Sequence, residues 1–209
     1  GDGWNYNFLS DIKVNTSTKV LGQEIVDQFF KHYEFNNSKT NLTLSFIDLS
    51  EVPNLVDELD DLFNKTDAAI NIQTFSDYSR KLTRKTVYGN TGRSTSTFDL
   101  VDVKDLVNAI SDEHPKEVDK VIKALEKVVI YSRDNMANTN GLSIYFPTNN
   151  KQQVDRTLIY YKNVAVSDDY YKFLSKYSSF ISGDKLVTKS SFIDVTPKYS
   201  REAISVEIP

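Results

Sequence analysis

Apolar side chains recur along this chain with two different periods, and the switches between them outline its elements. Over 17–35, Leu21, Ile25 and Phe29 repeat every four residues, with Val26, Phe30 and Tyr33 widening the stripe, so a helix is predicted. Asn36-Asn37-Ser38 breaks it. Leu42, Leu44 and Phe46 then alternate with smaller polar residues, and Ile47 and Leu49 add bulk, which predicts a strand with a buried face. Ser50 is placed to cap the next helix, with Pro53 in its first turn and Val52, Leu55, Val56, Leu59, Leu62 and Phe63 on one face. A strand leading straight into such a helix suggests the first half of a βαβ unit. Residues 66–88 read as a further helix with Ile70, Phe75, Tyr78 and Leu82 inward, and Gly89–Ser96 as a loop.

Downstream, Asp102 caps a helix carrying Leu106, Val107 and Ile110. Pro115 opens a long one with Val118, Val121, Ile122, Leu125, Val128 and Val129 inward. Asn138–Gly141 reads as a turn, and Leu142–Phe146 as a strand stopped by Pro147. A polar loop to about Arg156 precedes the apolar run Leu158–Tyr161. Ser167-Asp168-Asp169 caps a helix with Tyr171, Leu174 and Phe180 or Ile181 inward. Beyond 184 two β-rich runs, Phe192–Val195 and Ala203–Ile208, have no helix between them and suggest a hairpin. Strands separated by helices imply an α/β sheet with helices packed on it.

Composition narrows the class. The 209 residues are 39% hydrophobic and 26% charged, the balance of a globular chain. A net charge of −4 argues against nucleic acid as a partner, because a phosphate-binding surface needs excess positive charge. No apolar run is long enough for a membrane span. There is no cysteine, hence no disulfide, zinc–thiolate site or thiol nucleophile within these residues, an absence that also suits an exported bacterial protein. His32 and His114 are the only imidazoles. His32 closes a predicted helix and His114 precedes Pro115, and both positions suit boundary roles better than catalysis.

The opening segment Gly1-Asp2-Gly3-Trp4-Asn5-Tyr6 holds the only tryptophan. Two glycines around an acid suit a tight loop whose backbone approaches a ligand, and Trp4 offers a flat apolar wall beside it. The plainer alternative is that Asp2 shapes the turn and Trp4 joins the core. Asp57, Glu58, Asp60 and Asp61 fit a solvated helix face better than a calcium cage, since acids on one helix diverge. Arg80, Lys81, Arg84 and Lys85 suggest an exposed basic face, with an anion site as the sharper alternative.

Four blocks in order resemble the clostripain family of cysteine peptidases. They are Gly1–Tyr6; Leu44–Ser50; Tyr88-Gly89 followed by Phe98-Asp99-Leu100-Val101-Asp102-Val103; and Asn140-Gly141-Leu142-Ser143-Ile144-Tyr145-Phe146-Pro147. The resemblance implies a partial caspase-like α/β fold over 1–183, with 184–209 as a β-rich tail or the start of an extension. It implies an endopeptidase that cuts after Arg or Lys, with a His and a Cys as its dyad. By similarity both lie upstream of Gly1, so these residues read as the portion C-terminal to the catalytic cysteine, inactive alone. The expected partners are that N-terminal catalytic portion and a peptide or protein with a basic residue. Asp2 would then pair with the guanidinium of the substrate at the rim of its pocket, and Trp4 would flank the alkyl stem. No catalytic or metal-binding residue is assigned within the chain. No cofactor is expected, although some relatives depend on calcium. The resemblance suggests an extracellular or envelope-associated bacterial protein. A severed half would expose apolar sheet surface. The competing reading is a non-catalytic binding or scaffold module of a caspase-like pseudoenzyme. A flavodoxin-type nucleotide domain fits poorly, because the loop after Leu49 carries Glu51 where a phosphate would sit.

Overall fold

The computed structural model describes residues 6–35, 41–83, 87–88, 99–147, 151–182, 196–199 and 204–207. A short 3-10 helix, Asn7–Asp11, leads to α1, Thr18–Phe35. Ser17 Oγ accepts from the Val20 N–H at its start. Val26 and Phe30 are its most deeply buried side chains, while Leu21, Ile25 and Phe29 are half-buried. The buried face is thus turned by one residue, about 100°, from the stripe that the four-residue repeat suggests.

Strand β1, Thr43–Ile47, pairs with β4, Val129–Asp134, with Thr43 opposite Asp134 and Phe46 opposite Tyr131. That pairing is antiparallel, as is every strand pairing among the described residues, so the βαβ expectation is corrected. The chain enters α2, Val52–Ala69, with Pro53 in its first turn and Leu55, Leu59, Leu62, Phe63 and Thr66 buried. Ser50 does not cap it. Its N–H and hydroxyl both donate to Asp48 Oδ1, at 2.9 and 2.6 Å.

The helix expected over 66–88 is three pieces. α2 ends at Ala69, a turn comes next, α3 covers Phe75–Leu82, and β2 covers Val87–Tyr88. Side chains make the break. Thr74 Oγ1 donates to the Ala69 carbonyl at 2.8 Å, and Asn71 Oδ1 accepts from Gln73 N–H at 2.9 Å. Such local bonds compete with helical ones.

β3, Leu100–Asp102, runs into α4, Val103–Asn108, and then α5, Pro115–Val128. Helix α5 stops one residue short of Val129, where the run Val129-Ile130-Tyr131 takes up the sheet instead. β5 is Ser143–Tyr145. The loop expected before Leu158 is helix α6, Lys151–Tyr161. Val154 and Leu158 lie one turn apart and are buried, and the Tyr161 ring meets that of Tyr145 at 4.7 Å. α7, Asp168–Ser182, begins under a Ser167 cap, whose Oγ accepts from Tyr170 N–H at 3.0 Å. Tyr170, Phe173, Leu174 and Tyr177 form its buried stripe, with Tyr171, Phe180 and Ile181 at the margins. β6, Thr196–Tyr199, and β7, Ile204–Glu207, form the expected hairpin, but its first strand comes after Phe192–Val195, which lies outside the described residues.

The chain is therefore mixed α/β, with helices packed on small antiparallel sheets. Helices α2, α5 and α7 share the main core with the sheet β2-β3-β5. A smaller core of Val26, Phe30 and Leu42 lies between α1 and the β1-β4 ribbon. No described helix is long and apolar enough to cross a membrane.

Candidate functional site

Three sequence blocks that are distant along the chain become neighbours in one sheet. β2 holds Tyr88 opposite Leu100, and β3 sets Leu100, Val101 and Asp102 opposite Tyr145, Ile144 and Ser143 of β5. Val101 is buried because β3 runs between the other two strands, against the main core.

Asp102 fixes one end of this sheet. It is fully buried and serves two elements at once. Oδ1 accepts from Asp105 N–H at 2.9 Å, which caps α4. Oδ2 accepts from the main-chain N–H of Asn140 at 2.6 Å, and Oδ1 also accepts from Asn140 Nδ2 at 3.1 Å. The next strand is tied by Val103 N–H donating to the Leu142 carbonyl at 3.0 Å. The turn between them needs left-handed backbone, with φ 61° at Asn138 and φ 94° at Gly141. Gly141 also has no room for a side chain. A Cβ there would fall 2.8 Å from Val129 Cγ1 and 3.0 Å from Ser45 Oγ. This glycine is where the β2-β3-β5 sheet leans on the β1-β4 ribbon.

At the opposite end, Phe146 N–H donates to the Asp99 carbonyl at 2.8 Å. Asp99 is buried and has φ 52°, a conformation that costs a non-glycine residue about 1 kcal/mol or more. A phenolic wall backs this end. Tyr170 Oη donates to the Tyr145 carbonyl at 2.7 Å. Burial, and then the Asp99 charge, push the Tyr145 hydroxyl far up, burial holds Tyr170 well above its ordinary value, and burial also raises Tyr161. These phenols stay protonated at neutral pH. They supply a rigid surface and no acid–base group.

Asp2 and Trp4 lie outside the described residues. The segment after them is anchored: Phe8 is buried, and its ring lies 6.4 Å from that of the exposed Tyr6. His32 sits in the last turn of α1, edge-on to Tyr33. His114 occupies the position before α5 but makes no capping bond with its side chain. Its Nε2 lies 3.2 Å from Tyr78 Oη, and burial lowers its pKa. That aromatic pairing between α3 and α5 had no signal in the sequence.

The acids of α2 do not converge. Glu58 and Asp61 face Lys120 of α5, while Asp60 accepts from the Ser167 hydroxyl. Burial raises the Asp60 pKa, with the neighbouring Asp169 adding to it. Among the described residues no group of three His, Cys, Asp or Glu side chains is gathered that could hold a metal ion. Arg80 pairs with Asp77, and Lys81 with Glu113 and Asp112, while Arg84 and Lys85 lie outside the described residues. The capping role of Asp102 was visible in sequence, but its hold on Asn140 was not, since the two are 38 residues apart.

No curated protein and no solved structure matches this chain. A sequence model of the clostripain family does match, over residues 1–187. The region it spans includes the whole β2-β3-β5 sheet with its Asp102–Asn140 tie, and on that match the chain belongs to the clostripain family, a family of cysteine peptidases.

Proposed function

We propose that this chain is the substrate-side portion of a clostripain-like cysteine endopeptidase that cuts after Arg or Lys. The family match over residues 1–187, in a chain without cysteine, carries this reading. A thiolate mechanism needs a sulfur nucleophile and a base to activate it. These 209 residues hold no cysteine, and by resemblance to the family both the sulfur and the histidine of the dyad belong to residues outside them. What this chain contributes is the scaffold and one edge of the pocket. Asp2 is the carboxylate that pairs with the basic side chain, and Trp4 is the wall along its stem. The β2-β3-β5 sheet is the rigid part of that scaffold, and rigidity is what holds a substrate in the geometry that attack requires.

The test is Asp2→Ala in the full-length protein, assayed on matched Arg and Lys peptides. Loss of a charge-assisted hydrogen bond should lower kcat/KM by roughly ten- to a hundredfold on both. Unchanged efficiency on both peptides removes Asp2 from the pocket. Absence of a cysteine and histidine encoded ahead of Gly1 removes the peptidase reading itself and leaves a non-catalytic member of the family.

A further inference from the structure

We propose that Asn140-Gly141 is a latent deamidation site that Asp102 keeps closed in the folded chain. The reaction requires the main-chain nitrogen of Gly141 to attack Cγ of Asn140. That nitrogen gives its proton to solvent, the Cγ–Nδ2 bond breaks, and ammonia leaves with a proton from water. Hydrolysis of the cyclic imide then yields aspartate or isoaspartate, so the net change is one water consumed and one ammonia released. A glycine after the asparagine leaves the approach unhindered.

The folded turn opposes each movement this needs. Asn140 Nδ2 donates to Asp102 Oδ1 at 3.1 Å and to the Asn138 carbonyl at 3.4 Å. The main-chain N–H of Asn140 is held by Asp102 Oδ2 at 2.6 Å. Gly141 is wedged against Val129 and Ser45 at φ 94°. Residue 140 is half-exposed, so water reaches it, but the carboxamide cannot swing over the Gly141 nitrogen without breaking its bonds. Reaction therefore waits for local opening, as cleavage by a protease does.

The product does not close again. A carboxyl group at 140 replaces the Nδ2 donor with an acceptor facing the acceptors of Asp102. An isoaspartyl link adds a backbone atom just ahead of β5. Either change removes the Nδ2 bond to Asp102 from the tie that sets β5 against β3, so each opening that reacts is a one-way loss of that contact.

Peptide mapping by mass spectrometry of the chain, aged in buffer and in denaturing urea, tests this. Deamidation at Asn140 should be at least roughly tenfold slower in buffer than in urea, and Asp102→Ala should raise the rate in buffer several-fold. Equal rates in buffer and urea, or no response to Asp102→Ala in a variant that keeps its native circular dichroism, overturns the proposal. If Asp102→Ala does not fold, the unmodified chain decides through its rate across sub-denaturing urea. A rate that climbs with opening supports the gate, and a flat one refutes it.

Discussion

The two cores of this protein are built on different physics. The main one joins α2, α5 and α7 to the β2-β3-β5 sheet through interlocked aromatic rings, Phe63, Tyr170, Phe173, Phe146 and Tyr177. The smaller one, between α1 and the β1-β4 ribbon, has three buried apolar side chains, Val26, Phe30 and Leu42. Its edge is closed by polar contacts instead. Arg133 lies 4.7 Å above the Phe30 ring and bonds Asp27 and Glu34, each at 3.1 Å, while Tyr131 Oη donates to Asp27 at 2.9 Å. Dispersion and burial favour the first core without regard to salt, whereas ion pairs at half-exposed positions weaken as salt rises. The α1 side should therefore open first, with the β2-β3-β5 junction protected behind it.

The sharpest break of this contrast comes from paired truncations. Phe63→Ala should lower the unfolding free energy by about 3–5 kcal/mol, since neighbours packed on every side cannot collapse into the space. Phe30→Ala should lose less, about 3 kcal/mol, because the half-buried neighbours of the smaller core can close on the space. Chemical denaturation of the two variants measures both, and equal losses would mean that the cores are one unit. Gly141→Ala comes next, at about 2–3 kcal/mol, since a methyl group there meets Val129 and demands left-handed backbone. Hydrogen exchange should show protection falling in β5 and in the β1-β4 ribbon together, because this glycine is their joint.

Arg133→Ala should lose about 1 kcal/mol, and added salt should shrink the difference from the parent chain. Salt-independent loss in a melting series would assign Arg133 to packing instead. The smallest effect concerns pH. Burial holds the His114 pKa below its ordinary 6.5, so the folded chain resists the proton that the unfolded chain accepts. Stability is complete above about 6.5 and declines as pH falls through that value and the lower folded one. Glu113 and Glu117 lessen the decline and Lys65 deepens it. Urea midpoints at neutral and mildly acidic pH should differ less in His114→Gln than in the parent, and identical slopes would remove His114 from the acid response.

Among the described residues, the exposed apolar side chains include Leu100 on strand β3 of the sheet, Leu9 and Val14 in the segment before α1, and Ile159, Tyr160 and Val164 of α6 and the turn after it. Reading α6 as a loop concealed the last three, because the polar residues at its start outweigh a stripe as sparse as Val154 and Leu158. The Asn71–Thr74 break was missed for the opposite reason. Apolar spacing continued across it, while the bonds that end α2 come from small polar side chains whose choice of partner is not periodic.

Sequence alone determined the elements whose signal is local. α5 follows from Pro115 and a periodic apolar face, the α4 start from an acid before an amphipathic turn, and the β5 end from Pro147. It also delivered the family, because the order of the blocks survives without any knowledge of contacts. Tertiary structure decided how strands pair, which way each helix faces and what Asp102 holds. Those outcomes depend on groups that meet across long separations, such as β1 with β4 or Asp102 with Asn140. Chain entropy opposes such meetings until the whole core forms, so no short window of sequence carries their signature.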